Sequence, residues 1–412
     1  MFCEYLKIYN SLRFKLSVIA MSKEKFTAAL TITLIFMLCA VTVHAFEIVD
    51  TIVLELYGGY YGIVYDSGKD EIYLANGDFH LVYAISDNTD TVVATIPVGE
   101  TPSGITYDPV KGELFVTNFR SNSVSVISDS NHSVVSTLSV GQNPMGIVYD
   151  SDKGEIYVAN YGSDSVTVIS DSNNTIIATI SVGTRPSALA FDSAKGEIYV
   201  GHAGCNDIIV ISDKTHNIVA NITVENQPIS LVYNQGKQQI YTTNFGSDTV
   251  SVISCSNYSV VTTIPVGEQP MGIAYDPIND QLYVTNFKSQ SMSVISDSNN
   301  TVIAEVPLKG EPQAIGYDSG KGKIYVAYSE SHRVSVISIP AQPDATSQPE
   351  VTSQPTPSPT ILPEYSLRTI FSVVMVVAVL MVTISLTAVF FRNRKIQNTH
   401  TNGNYTKHSL TR

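Results

Sequence analysis

Pro144-Met145-Gly146-Ile147-Val148-Tyr149-Asp150 leads through a turn into Glu155-Ile156-Tyr157-Val158-Ala159-Asn160. Ser165-Val166-Thr167-Val168-Ile169-Ser170 follows, and then Thr175 to Val182, which ends in Gly183-x-x-Pro186. These are four short runs rich in Val, Ile and Tyr, bounded by Asp, Gly, Asn and Ser, which is the pattern of four strands joined by tight turns. Their β-branched residues stand side by side rather than in alternation, so both faces of the sheet need cover. Asp150 can accept backbone N–H bonds in its turn, and Gly154 supplies a position with φ > 0. Lys195-Gly196 and Asn279-Asp280 repeat that turn chemistry.

The same unit recurs along the chain. An aromatic residue followed by Asp or Asn stands at Tyr65-Asp66, Tyr107-Asp108, Tyr149-Asp150, Phe191-Asp192, Tyr233-Asn234, Tyr275-Asp276 and Tyr317-Asp318, every interval being 42 residues. Seven such units account for Phe46 to Ile339 without an insertion. A single four-stranded sheet of this size cannot bury both faces, whereas seven arranged radially each lie between two neighbours. The expected fold is therefore all-β, a seven-bladed β-propeller of four-stranded blades. Ile48 to Leu56 aligns with a fourth strand, and the last unit lacks one, so the N-terminal strand is expected to complete blade seven and close the ring.

The second run of each unit carries a named pattern. It stands as Tyr73-Leu-Ala-Asn76, Phe115-Val-Thr-Asn118, Tyr157-Val-Ala-Asn160, Tyr241-Thr-Thr-Asn244 and Tyr283-Val-Thr-Asn286, with departures at Tyr199-Val-Gly-His202 and Tyr325-Val-Ala-Tyr328. In this the chain resembles the YVTN-repeat propellers, found in archaeal surface-layer proteins and in YncE-like periplasmic proteins. The absence of tryptophan argues against WD repeats. The resemblance implies a propeller but little about activity, because one such scaffold hosts many functions.

Charge and hydropathy divide the chain of 412 residues further. Between Phe46 and Pro340 there are 13 basic and 32 acidic residues, whereas the flanks hold 11 basic and 5 acidic ones within an overall net charge of −13. Such an acidic centre excludes a general nucleic-acid binder, which needs clustered Lys and Arg. Residues 1–45 read as a secretory leader. Lys23 and Lys25 precede the uncharged Phe26–Val43, and Val43-His44-Ala45 suits cleavage. Met21 is the expected start, an over-long n-region and an uncleaved anchor being the alternatives. Residues 340–365 form a Pro/Ser/Thr-rich stalk, in which Pro363-Glu364-Tyr365 resembles the Pro-Glu-Phe-type tags of archaeal surface proteins. Residues 369–391 carry no charge and at 1.5 Å per residue are long enough to cross a bilayer core of about 30 Å. Arg392, Arg394 and Lys395 open the basic tail 392–412, which is expected in the cytoplasm. The propeller is then expected outside a single-pass membrane anchor.

Strand direction assigns loops to two ends. The fourth-to-first and second-to-third connections share the top, and the other turns share the bottom. Propellers commonly bind at the top, and the variable positions there supply the candidate ligand-binding residues Tyr57, Tyr60, Tyr61, His80, Arg120, Arg185, His202, Lys288 and His332, with Asp78, Glu330 and Arg333 beside them. Aromatics next to charges suit a carbohydrate or protein surface, so a protein or glycan of the cell envelope is the expected partner. Five Asn-x-Ser/Thr acceptors occur at Asn131, Asn173, Asn221, Asn257 and Asn299, four of them in equivalent bottom turns.

No catalytic residue, cofactor or metal is expected. The residue after the Pro of each first strand, or after Tyr60 in the first unit, should lie nearest the channel mouth: Tyr61, Ser103, Met145, Ser187, Ile229, Met271 and Gln313. None is a carboxylate, His, Lys or Arg, groups that haem-binding and lactonase- or lyase-type propellers need there. His80 and His332 occupy equivalent positions in adjacent blades, but blades diverge outward and a shared metal needs close convergence. Cys205 and Cys255 fall at opposite ends, too far apart for a disulfide. A propeller enzyme or cofactor carrier using His80, His202 and His332, and a purely structural surface-layer component, remain the alternatives to a surface binding protein.

Overall fold

A computed structural model describes residues 46–329 and 331–340. Every regular element among the described residues is a strand, and none is a helix able to cross a membrane. The leader, stalk, apolar span and basic tail expected above, and Glu330, lie outside the described residues.

Blade one consists of β2 (Tyr60–Asp66), β3 (Glu71–Asn76), β4 (Leu81–Ser86) and β5 (Thr91–Pro97), each antiparallel to the next. Five further blades repeat this order. The seventh is built from β26 (Pro312–Asp318), β27 (Lys323–Tyr328), β28 (Ser331–Ser338) and, as its outermost strand, β1 (Glu47–Gly58). The first and last segments of the ring therefore share one sheet, with Glu47 opposite Ser338 and Val53 opposite Arg333. This is the expected closure, and β1 contributes Ile52 and Leu54 to the core between blades seven and one.

The middle strands of each blade are buried along almost their whole length, the second run reading Ile-Tyr-Val-Ala at zero exposure in blade three. Their side chains feed seven hydrophobic clusters, one at each junction between adjacent blades. The outermost strands alternate between half-buried and exposed residues. Burial of side chains between sheets, at roughly 25 cal/mol per Å² of apolar surface, is the main stabilising term.

The aromatic, Thr and Asn residues of the second strands hold the fold together. The aromatic ring is fully buried in all seven blades, and in blade three the Tyr157 hydroxyl donates to Glu155 Oε2 at 2.8 Å. Burial of the phenol pushes its pKa well above the ordinary value. The Thr clasps neighbouring blades: Thr117 Oγ1 accepts from Gly104 N at 2.7 Å and donates to Met145 O of the next blade at 2.6 Å. The Asn knits the second and third strands, Asn118 Nδ2 donating to Ser123 Oγ and Ser125 Oγ at 3.1 and 3.0 Å. The inner strands approach so closely that a Cβ on Gly104 would stand 2.3 Å from Met145 O. That contact explains the glycine after the channel-side residue.

Candidate functional site

At the bottom end, the Asp closing each first strand takes up the turn. Asp150 Oδ1 accepts from Asp152 N and Lys153 N at 2.9 and 3.2 Å, and Lys153 Nζ donates to Asp213 O of the next blade at 2.8 Å. Lys321 closes the ring on the equivalent Asp87, donating to its side-chain Oδ1 at 2.8 Å rather than to its carbonyl. In three of the third-to-fourth turns the residue with φ > 0 reaches back to the preceding blade: His132 to Glu71 at 2.8 Å, His216 to Glu155 at 3.1 Å and Tyr258 to Glu197 at 2.6 Å. Asp66, Asp108, Asp150, Asp192 and Asp318 are fully buried, and in each of them Oδ2 has no hydrogen-bond partner. Burial pushes the Asp150 carboxyl up to about 6, backbone N–H groups opposing the shift and Asp213 and Glu155 adding to it. Burial likewise raises Asp318, with Asp87 contributing. Between blades five and six an amide takes the place of one carboxyl, and Asn234 Nδ2 donates to Asp297 Oδ2 at 2.7 Å.

The top end is built differently. One backbone bond per blade ties the residue after the motif Asn to the loop entering the first strand, as in Phe119 N to Thr101 O at 2.8 Å, Tyr161 N to Asn143 O at 3.0 Å and Phe245 N to Gln227 O at 2.9 Å. This bond gives seven equivalent platforms, whose occupants are Gly77, Phe119, Tyr161, Ala203, Phe245, Phe287 and Ser329. Phe119 and Tyr161 come from adjacent blades and meet with centroids 6.4 Å apart. Arg185, from the blade beyond, lays its guanidinium 5.5 Å over the Tyr161 ring. Phe119, Tyr161 and Arg185 therefore make a continuous aromatic–cation strip across three blades, Phe119 and Tyr161 half-buried and Arg185 exposed.

A second cluster gathers at blade one. Tyr61 is 46% exposed, and its ring occupies the space left by the bare Gly77, 2.7 Å from where a Cβ would be. Burial raises its phenol pKa and Asp78 adds to that rise, while a hydrogen bond with Gln313 and the charge of Arg120 oppose it. Tyr57 is exposed with its ring 6.4 Å from His332, and Asp78 Oδ2 accepts from Gly59 N at 2.8 Å.

Two expected surface residues are buried, and the structure corrects their placement. Tyr60 is 0% exposed because it takes the place that Pro holds in other blades, paired with Asn76, with its hydroxyl donating to Leu56 O at 2.7 Å. His202 is 1% exposed because it fills the slot of the motif Asn. Its Nδ1 lies 2.8 Å from Asp207 Oδ1, and its Nε2 has no partner. The larger ring also lifts the loop above it. Gly183 takes φ +111, and Gly310 above the corresponding Tyr328 takes φ +119.

The remaining expected residues scatter. His80 holds a turn at φ 58, its Nδ1 lying 3.1 Å from Thr101 N and 3.2 Å from Gly77 O. Lys288 lies 3.4 Å from Glu268 with both side chains well exposed, a pair worth about 0–1 kcal/mol. Among the described residues no three His, Cys, Asp or Glu side chains gather as a metal group, and Cys205 and Cys255 are both free thiols. Burial pushes the Cys255 thiol up to about 12. Sequence reading passed over Phe119, Tyr161, Phe245 and Phe287. Their signal was available as the residue following each motif Asn, where the repeat stops being uniform.

No protein-family model matches the chain, and no curated protein matches it in sequence. Among solved structures it is similar to Kuenenia stuttgartiensis hydrazine synthase, with a TM-score of 0.63 and 19% identity over 70% of this chain and 97% of that one. It is also similar to a streptogramin B lyase structure, with a TM-score of 0.61 and 14% identity over 71% and 97% of the two chains. At such identities the likeness carries the seven-bladed propeller fold and nothing about chemistry.

Proposed function

We propose that this chain is a non-catalytic, membrane-anchored cell-surface propeller of the YVTN-repeat type that binds a protein or glycan of the cell envelope through its top face. The observation carrying this reading is the Phe119–Tyr161–Arg185 strip. Flat aromatic faces beside a guanidinium offer stacking and forked hydrogen bonds to sugar rings or to polar protein surfaces. β28 ends at Ser338 opposite Lys323, at the bottom end of the ring. The apolar, charge-free 369–391 and the leader 1–45 support export and anchoring.

The test is capture of envelope partners by the full chain and by a variant carrying Tyr61→Ala, Tyr161→Ala and Arg185→Ala. Loss of a specific partner in the variant is the expected result. Identical partner profiles would reject the top-face reading.

One observation favours a second reading, a propeller enzyme or cofactor carrier: the buried His202, anchored by Asp207 and unpartnered at Nε2. Replacement His202→Asn installs the residue that five other blades use. Under the first reading partner capture is unchanged, whereas loss of a copurifying cofactor in this variant would favour the second.

A further inference from the structure

The five Asn-x-Ser/Thr acceptors are not equivalent in the folded chain. Asn131, Asn173, Asn257 and Asn299 stand exposed in the bottom turns between third and fourth strands. In each, the hydroxyl two residues on donates to the Asn Oδ1: Ser133 at 2.7 Å, Thr175 at 2.7 Å, Ser259 at 2.8 Å and Thr301 at 2.8 Å. That bond polarises the carboxamide of an exposed Asn. Asn221 lies instead inside the strand Ile218–Thr223, paired opposite Ile209, and its Nδ2 donates to Asp207 Oδ2 at 3.2 Å. Asp207 in turn holds the buried His202.

We infer that Asn131, Asn173, Asn257 and Asn299 carry N-linked glycans and that Asn221 does not. The donor is a lipid-linked oligosaccharyl phosphate or diphosphate. Asn Nδ2 forms a bond to the anomeric carbon as the bond from that carbon to the phosphate oxygen breaks. The lipid phosphate leaves with the electron pair, and one Nδ2 proton passes to a base of the transferase. The four sites fall on blades two, three, five and six. Each precedes an exposed apolar pair on the outermost strand: Val134-Val135, Ile176-Ile177, Val260-Val261 and Val302-Ile303. At about 3.3 Å per residue these pairs lie within roughly 10–13 Å of the glycan. Blades seven, one and four keep the corresponding Ile48-Val49, Val92-Val93 and Ile218-Val219 without a glycan. A groove of about 600 Å³ between β1 and β5, lined by Val53, Thr89, Asp90 and Val93, therefore stays bare.

The inference rests on export of the propeller, as proposed above. The full chain is expressed in a host that glycosylates Asn-x-Ser/Thr, once with its own leader and once behind a leader of proven export. Retention of only the first inside the cell marks a failure of the export reading, while glycan occupancy is read on the second. Amidase release in heavy-oxygen water then labels each occupied Asn as Asp. Label at the four turn residues and none at Asn221 is expected, and Thr175→Ala should remove the label at Asn173 alone without changing the circular dichroism spectrum. Exported chain without label at the turns, or with equal label at Asn221, overturns the inference.

Discussion

The two ends of the ring are made from the same repeat and behave as different materials. At the bottom nearly every blade repeats the same polar parts: a buried Asp or Asn, a turn, and a Lys or a φ > 0 residue reaching to a neighbour. At the top the backbone platform is equally regular, yet its occupants range from glycine to phenylalanine. Regular chemistry at the bottom locks each blade to the next. Irregular chemistry on a regular top frame is what a recognition surface requires, because the frame bears the fold and the occupants are free to differ.

The comparison can be broken first at the seam. Deleting residues 46–56 removes β1, with buried Ile52 and Leu54 and one full ladder of hydrogen bonds. The expected fall in melting temperature of the protein is about 10 °C or more, from roughly 3–6 kcal/mol of lost burial. Unchanged melting would show that β28 needs no partner.

Gly104→Ala tests the inner ring. The added methyl meets Met145 O of the next blade, and overpacking of this kind costs about 1–3 kcal/mol, readable by denaturant unfolding. The same change at Gly322, where nothing lies within 4 Å, isolates the backbone cost of φ +62 from the clash.

The bottom junctions predict a pH dependence. The Asp150 carboxyl holds its proton to about pH 6 in the fold, against 3.8 ordinarily. The folded state thus binds that proton more tightly than the unfolded chain does. Its contribution is complete below about pH 3.8 and is lost as pH rises through 6. Asp150→Asn copies the amide that Asn234 already supplies between blades five and six. The expected gain is about 1–3 kcal/mol at pH 7–8, with little change at pH 4, measured by thermal melts across that range. An equal effect at both pH values would sink the account of a carboxyl raised by burial.

The smallest stability effect is expected at the top. Tyr161→Ala with Arg185→Ala removes a cation–π contact worth about 0.5–1 kcal/mol and should leave melting nearly unchanged while abolishing partner capture. A large loss of stability would mean that the top strip, like the bottom latches, is structural.

Much of this architecture was legible in the chain. The unbroken interval of 42 residues, the doubly apolar strands and the lone leading strand led to seven blades and their closure, and the structure agrees with each. The candidate site was legible only in outline. Tyr57, Tyr60 and Tyr61 read alike as loop aromatics, but Tyr60 stands in a proline slot facing the core while Tyr61 stands one residue on, at the rim. His202 reads as a variable polar residue, but its register position is that of a buried Asn.

What the sequence by itself determined is therefore everything that recurs: strand identity, turn chemistry, blade number and the order of closure. These depend on local periodicity and on the arithmetic of burying sheets that cannot cover themselves. Only the tertiary structure decided which residues meet across a junction. Lys153 finds Asp213, Asn234 finds Asp297 and Arg185 finds Tyr161 across separations from 24 to more than 60 positions. Such meetings are set by the packing of one blade on the next. A repeat fixes where each slot lies, but the neighbour of its occupant belongs to another copy of the repeat, so the charge, burial and exposure of that pair appear only when the ring is closed.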